Sequence, residues 1–307
     1  MTISVQRFRR PSKKKMTNKE SKLDVSFDRK DKIFVFKIGG SAFDLIKEEK
    51  DKNHLTKLFE ALVSAHKEGY KMVLTCGAGP WGDASKDFAG YFKNLGLEER
   101  SEMGDVQRSC SFAATVIDRM LSQKNKTGAV SYCRLRNSDY LGNIASDFTS
   151  LNSHIPILAT APQTAQADYV LSTPGFASDA HSIIIADWLA ERYNPGVELI
   201  FIKNTKGVYP KDPNRNDVNP NKNQRIKEIH IDQFLDTSVI DRIGTDGRGD
   251  HLLETVAGEL FAEVKNLELI RIITAKEPGR IRYTLEGENR GSVIYNDNYL
   301  KNDNGKK

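Results

Sequence analysis

The sequence predicts an α/β protein built on an open sheet, and three observations predict it. Strand-like apolar runs alternate with amphipathic helical stretches. The runs are apolar nearly throughout, as strands covered on both faces are. Glycine turns close successive strands at their C-terminal ends, the edge at which open α/β sheets hold ligands. With 307 residues, 38% of them hydrophobic, the chain suffices for one large domain or two small ones, and for a real core.

Each element follows from local pattern. Residues 32–38, Lys-Ile-Phe-Val-Phe-Lys-Ile, read as a strand buried on both faces and running into Gly39-Gly40-Ser41. Residues 54–70 carry Leu55, Leu58, Phe59, Leu62, Val63 and His66 at helical spacing, with Gly69 as a stop signal. Residues 71–75 form the next strand, followed by a second glycine turn, Gly77-Ala78-Gly79-Pro80-Trp81-Gly82. Beyond it a long helix is expected over 103–121 and strands over 129–135 and 155–160. A helix over 178–193 has an apolar stripe of Ile183, Ile184, Ala186, Trp188 and Leu189. Residues 198–202 make a further buried strand, leading into Lys203-Asn204-Thr205-Lys206-Gly207-Val208-Tyr209. Between 210 and 228 lie three prolines and five asparagines among many charges, so this stretch reads as a mobile loop, either functional or an ordered lid. Asp250 is a plausible N-cap for a helix through 265 that turns Leu253, Val256, Leu260, Phe261 and Val264 inward. Three strands, 269–274, 280–285 and 292–295, close the chain. There is no internal repeat and no domain-breaking linker.

Charge narrows the function classes. The formal net charge is +5, but residues 1–22 hold eight basic side chains (Arg7, Arg9, Arg10, Lys13, Lys14, Lys15, Lys19, Lys22) against Glu20 alone. The remaining 285 residues carry 38 basic and 40 acidic side chains, a net of −2. No basic face is therefore forced on the folded part, and nucleic acid is not the expected partner. The Arg-rich, acid-poor start suits a transit peptide, and its Lys13-Lys14-Lys15 run suits a solvated, disordered tail. No run of 18 apolar residues exists to span a membrane. Cys76, Cys110 and Cys133 are odd in number and lack CxxC spacing, which fits a reduced, cytoplasmic setting. The six histidines never occur in HxxxH or HxH pairs, so no metal site is indicated.

The glycine turns point to phosphate. Backbone N–H groups unobstructed by Cβ atoms can approach phosphate oxygens closely, and an ammonium beside them neutralises charge during phosphoryl transfer. Lys37 sits two residues before the first turn, in a run that otherwise looks buried, which makes an idle solvent-facing lysine the weaker reading. The motif is neither GxxxxGK[ST] nor GxGxxG, so the two common phosphate-binding signatures do not apply.

Six segments, in order from about residue 32 to 296, resemble the amino-acid kinase superfamily, within it the branch of UMP kinases and the molybdenum storage protein. They are Phe36-Lys37-Ile38-Gly39-Gly40-Ser41; Leu74-Thr75-Cys76-Gly77-Ala78-Gly79; Gly104-Asp105 and its helix; Ser178-Asp179-Ala180 with Ile185-Ala186-Asp187; Asn204 to Tyr209 with Asp212-Pro213; and Pro278-Gly279-Arg280 with Gly291-Ser292-Val293-Ile294. The resemblance implies a three-layer αβα sandwich with a mostly parallel central sheet. It implies residues 1–30 as a tail, 31–296 as the domain, and 297–307 as a polar C-terminal tail. The N-terminal half would bind the phosphoryl acceptor and the C-terminal half ATP with Mg²⁺.

On the same resemblance, Lys37 stabilises the transferred phosphoryl group and Asp179 orients that lysine. Gly39, Gly40 and Ser41 line the phosphate path. Gly77, Ala78, Gly79 and Asp105 face the acceptor, and Asn204, Tyr209 and Asp212 surround the nucleotide. These roles suit phosphoryl transfer, which needs positioning and charge neutralisation rather than a covalent nucleophile. Plainer readings stand beside them: Asp179 and Asp105 as helix caps, Asp212-Pro213 as turn chemistry, Trp81 as core and Asp83 as a cap. Asn204 and Lys206 depart from the UMP kinase pattern, which has a lysine two residues after the strand and an aspartate just before Gly-Val-Tyr. The expected activity is an ATP-dependent phosphotransferase acting on a small phosphorylated acceptor, most plausibly UMP. The alternatives are a molybdate- or tungstate-storing oligomer and a catalytically silent nucleotide binder. A homo-oligomer, a hexamer by resemblance, is the expected assembly.

Overall fold

The computed structural model describes residues 28–40, 42, 52–77, 102–125, 131–135, 148–160, 178–193, 196–211, 224–236, 238–240, 253 and 255–297. Their strands are β1 (Ile33–Ile38), β2 (Lys71–Cys76), β3 (Ser131–Leu135), β4 (His154–Ala159), β5 (Val197–Lys203), β6 (Glu228–His230), β7 (Leu269–Thr274) and β8 (Ser292–Tyr295). Their α-helices are α1 (Lys52–Lys67), α2 (Glu102–Lys124), α3 (Ser178–Arg192), α4 (Ile231–Leu235), α5 (Thr255–Glu263) and α6 (Arg280–Leu285). Short 3₁₀ turns occupy Arg29–Asp31 and Phe148–Asn152.

The strands form one sheet in the order β3-β4-β2-β1-β5-β7-β8-β6. β1 pairs in parallel with β2 and β5, β2 with β4, β4 with β3, and β5 with β7. Only β8 turns against β7, and β6 follows β8 in parallel. β1 is buried at all six positions and β5 at all seven, as strands with helices on both faces must be.

Alternation along β1 divides the core. Ile33 and Val35 join Val73, Leu199 and Phe201 under α3 and α5, which supply Ala180, Ile183, Leu189, Ala257 and Phe261. Phe34, Phe36 and Ile38 join Met72, Leu74 and Ile202 on the other face. There α1 supplies Leu58 and Leu62, α2 supplies Ala114 and Ile117, and α6 supplies Ile281 and Leu285. This is the expected three-layer αβα sandwich. Each fully buried Leu or Phe in it contributes about 1.5–3 kcal/mol of apolar transfer free energy.

One expected strand is a helix. In residues 280–285 the alternating Ile281, Tyr283 and Leu285 suggest a strand, yet α6 buries Ile281, Thr284 and Leu285 and leaves Tyr283 42% exposed. Those buried positions are three and four apart, the helical period. Glu277 O accepts the first turn's Arg280 N–H at 2.9 Å. β6 and α4 arise at and just past the end of the loop read over 210–228, in a stretch to which the sequence reading gave no element, and Asp250 lies outside the described residues.

Candidate active site

β1 and β5 are neighbours, but the chain leaves β1 for β2 on one side and reaches β5 on the other. The order therefore reverses between them, which in an open α/β sheet opens a crevice at the strands' C-terminal ends. Lys37 lies at that end of β1. Its Cα partner on β5 is Phe201, so Lys203, two residues further and last in β5, projects to the same face. α3 covers this face and brings its N-terminus, Ser178-Asp179, over the strand ends.

The three charged side chains meet. Lys37 Nζ forms an ion pair with Asp179 Oδ1, and Lys203 Nζ donates to Asp179 Oδ2 at 2.7 Å. Lys37 is 3% exposed, Asp179 1% and Lys203 7%. Burial alone would raise the Asp179 pKa, but the charges of Lys203 and Lys37, and their hydrogen bonds, hold it well below the usual carboxylate range. Two ammonium groups share one carboxylate, beside the positive end of a 15-residue helix.

The glycines divide into two kinds. A Cβ at Gly39 would rest 3.4 Å from Lys37 Nζ and 3.7 Å from Lys203 Cδ, ordinary van der Waals contact, so Gly39 lies directly beside both lysine side chains. At Gly77 a Cβ would fall 2.5 Å from Ser178 Oγ, so the bare backbone is what lets α3 reach the end of β2. Gly40 follows Gly39 at the start of a helical turn, in which Gly39 O accepts Ala42 N–H at 3.1 Å. Ser41, Ala78, Gly79 and Asp212 lie outside the described residues; Asp105 falls within α2, but its side chain is outside them too.

Across the crevice, the loop after β5 is stitched to β7 and β8. Thr274 Oγ1 donates to Asn204 O at 3.3 Å and Ala275 N–H to Lys203 O at 2.8 Å. Gly207 has φ +149°, and a Cβ there would lie 2.3 Å from Ser292 Oγ; Ser292 Oγ in turn accepts Val208 N–H at 2.8 Å. The segment to Tyr209, which is half-buried, is thereby fixed beside β8. Lys206 is exposed and pairs with Glu277 at 3.1 Å.

Sequence reading missed Lys203 as a site residue. Its signal was the one that marked Lys37, a lysine closing an otherwise apolar strand, but it was read as the start of the nucleotide loop. Asp179 is committed to two lysines and is not a free metal ligand. Among the described residues no group of three His, Cys, Asp or Glu could hold a metal ion. The lysines, the open glycine and the helix N-terminus fit phosphate oxygens, and with them a nucleotide; no described carboxylate fits Mg²⁺ directly. At and beside the end of β2, Cys76 Sγ lies 3.7 Å from Leu158 O and Cys110 Sγ 3.6 Å from Thr160 O. Burial pushes both thiols up, Cys110 to about 11, so they are packing groups rather than nucleophiles. No described helix is long and apolar enough to cross a membrane.

No curated protein matches the chain by sequence. Among solved structures it is similar to UMP kinase from Bacillus anthracis, with 13% identity, a TM-score of 0.60, and coverage of 87% of this chain and 96% of that one. UMP kinase from Ureaplasma parvum matches with 17% identity and a TM-score of 0.56 over 86% and 98% of the two chains. Uridylate kinase from Archaeoglobus fulgidus matches with 14% identity and a TM-score of 0.56 over 85% and 99%. These likenesses, at TM-scores of 0.56–0.60, show a shared overall fold. The family model for the amino acid kinase family matches residues 32–253, a span that includes Lys37, Asp179 and Lys203, and the chain therefore belongs to the amino acid kinase family.

Proposed function

We propose that this chain is an ATP-dependent phosphotransferase acting on a small phosphorylated acceptor, with UMP the first candidate. The observation that carries the reading is the buried Lys37–Asp179–Lys203 cluster at the crevice between β1 and β5. An acceptor phosphate oxygen attacks the γ-phosphorus of ATP. A new P–O bond forms, the bond to the β–γ bridging oxygen breaks, and ADP leaves with that electron pair. Charge spreads over the transferred oxygens during this step, and a preorganised ammonium at that place stabilises it more than the ground state. Asp179 holds Lys37 and Lys203 in place before substrate arrives, so no reorganisation is needed at the moment of transfer. Mg²⁺, when bound, would neutralise phosphate charge and stay mostly with phosphates and water, since the described carboxylate of the site, Asp179, is held by two lysines.

The acceptor is proposed from the similarity to the UMP and uridylate kinases together with the expected N-terminal placement of its site. The test is direct. Purified protein with ATP, Mg²⁺ and UMP should yield ADP and UDP, followed by coupled oxidation of NADH and by chromatography. Lys37→Ala should lower kcat by about 10²–10³-fold, the usual cost of one transition-state donor. If neither UMP nor a panel of nucleoside monophosphates and small phosphates gives ADP above background, the reading fails.

A further inference from the structure

The interface between α3 and the sheet contains a polar contact that charge neutralisation does not use. Thr75 on β2 and Ser182 on α3 are both fully buried, and their hydroxyl oxygens lie 2.8 Å apart. Ser182 Oγ also donates to Ser178 O at 2.8 Å. Because a carbonyl only accepts, the Ser182 proton is committed to Ser178, and the Thr75 hydroxyl must donate to Ser182. The chain of bonds therefore has one direction, Thr75 to Ser182 to Ser178.

Its place matters more than its strength. Thr75 is the Cα partner of Lys37 across β1 and β2, and Ser182 sits three residues, about one helical turn, beyond Asp179. Apart from this pair and the contacts of Asp179 with Lys37 and Lys203 at the helix end, the described interface is apolar: Val35, Val73 and Phe201 below, Ala180, Ile183 and Ala186 above. Apolar contact is non-directional and sets no particular position of a helix along a sheet, whereas a hydroxyl pair does. The close approach of Ser178 to Gly77 adds a second fixed point at the helix end.

We propose that Thr75 and Ser182 are positioning residues: their hydrogen bond fixes where α3 sits along the sheet, and so where Asp179 holds the Lys37 ammonium. For its kinetic arm this rests on the phosphotransfer reading. A second arm does not.

In the kinetic arm, Ser182→Ala and Thr75→Val should each lower kcat about tenfold with the KM for ATP changed less than about twofold. The double variant should be no worse than either single one, since both remove the same bond. Thr75→Ser, which keeps the hydroxyl, should restore the rate. Thr284→Val removes a buried hydroxyl with no hydrogen bond, far along the chain, and should leave the rate unchanged. In the second arm, the intact protein and each variant are trace-acetylated with acetic anhydride, and each lysine is quantified by mass spectrometry. Lys37 is expected to be shielded in the parent chain and selectively exposed in Ser182→Ala and Thr75→Val, and shielded again in Thr75→Ser.

Unchanged kcat and unchanged Lys37 labelling in Ser182→Ala would overturn the proposal. So would labelling that rises as much at Lys32 and Lys71, away from Asp179, as at Lys37, together with a lowered Tm, because the hydroxyls would then serve stability alone. A parent chain without phosphotransfer whose Lys37 labelling still responds selectively would support the positioning role while sinking the activity.

Discussion

Replacing Glu198 with Gln tests whether the edge of the sheet opposite the lysines is held by one buried charge. Glu198 is 3% exposed, near the start of β5. Arg29 donates to it at 2.9 and 3.0 Å, Lys32 at 3.0 Å and Arg271 at 2.9 Å. Arg29 also donates to Leu285 O and, at 3.1 Å, to Thr284 O, so the cluster ties the 3₁₀ turn before β1 to the end of α6. Burial alone would raise the Glu198 pKa. The hydrogen bonds from Arg29 and the charges of Arg271, Arg29 and Lys32 overcome this and hold it at about 2, against an ordinary 4.5. At about 1.4 kcal/mol for each tenfold in proton concentration, that gap is worth roughly 3 kcal/mol. The folded state has the lower pKa, so this stability is fully present above the ordinary value of 4.5 and is lost as pH falls through about 2. Gln forfeits it at every pH. Urea unfolding followed by circular dichroism should find Glu198→Gln less stable by about 3 kcal/mol at pH 7 and by roughly half as much at pH 3. An equal difference at both pH values would place the cost in packing and refute the charge account.

Three further outcomes follow from close contacts and burial. Gly77→Ala puts a Cβ 2.6 Å from Ser178 Cβ; it should cost about 1–3 kcal/mol in urea unfolding and, by moving Asp179, depress phosphotransfer beyond that stability loss. An unchanged rate would show that the end of α3 can shift without consequence. Gly291→Ala puts a Cβ 1.9 Å from the backbone Ile272 O, which cannot yield without parting β7 from β8, so a loss of about 2 kcal/mol or more is expected, or no soluble protein. Iodoacetamide at pH 8 should leave Cys76 and Cys110 unmodified until denaturant is added, as mass spectrometry of tryptic peptides would reveal; rapid labelling of either would contradict their burial.

How much of this was legible in the sequence depended on how local each signal is. β1, β2 and β5 announce themselves because a strand covered on both faces must be apolar at every position, and Gly69, at φ +98°, ends α1 as a helix stop should. Residues 280–285 failed because six residues are too few to separate a period of 2 from one of 3.6. There the tertiary partner decided: α6 had to lay Ile281 and Leu285 against the α1 and α2 side of the core. β6, three residues long, exists only by pairing with β8, a contact no local pattern contains.

The site divides along the same line. Lys37 was legible because a lysine in a run of Ile, Phe and Val contradicts its surroundings, and such contradictions are where function is expected. Asp179 was legible only through family resemblance, since a Ser-Asp pair opening a helix is also what an ordinary cap looks like. Lys203 obeys the same rule as Lys37 but sits at the last position of its strand, where a charged residue contradicts nothing. What identifies it is the register that sets Lys37 opposite Phe201, and with it the fact that one carboxylate serves two strands. The electrostatics follow from this. With only Lys37, the carboxylate would serve one amine; with Lys203 it serves two, and it gathers both ammonium groups beside the N-terminus of α3, where the proposed phosphoryl transfer needs positive charge.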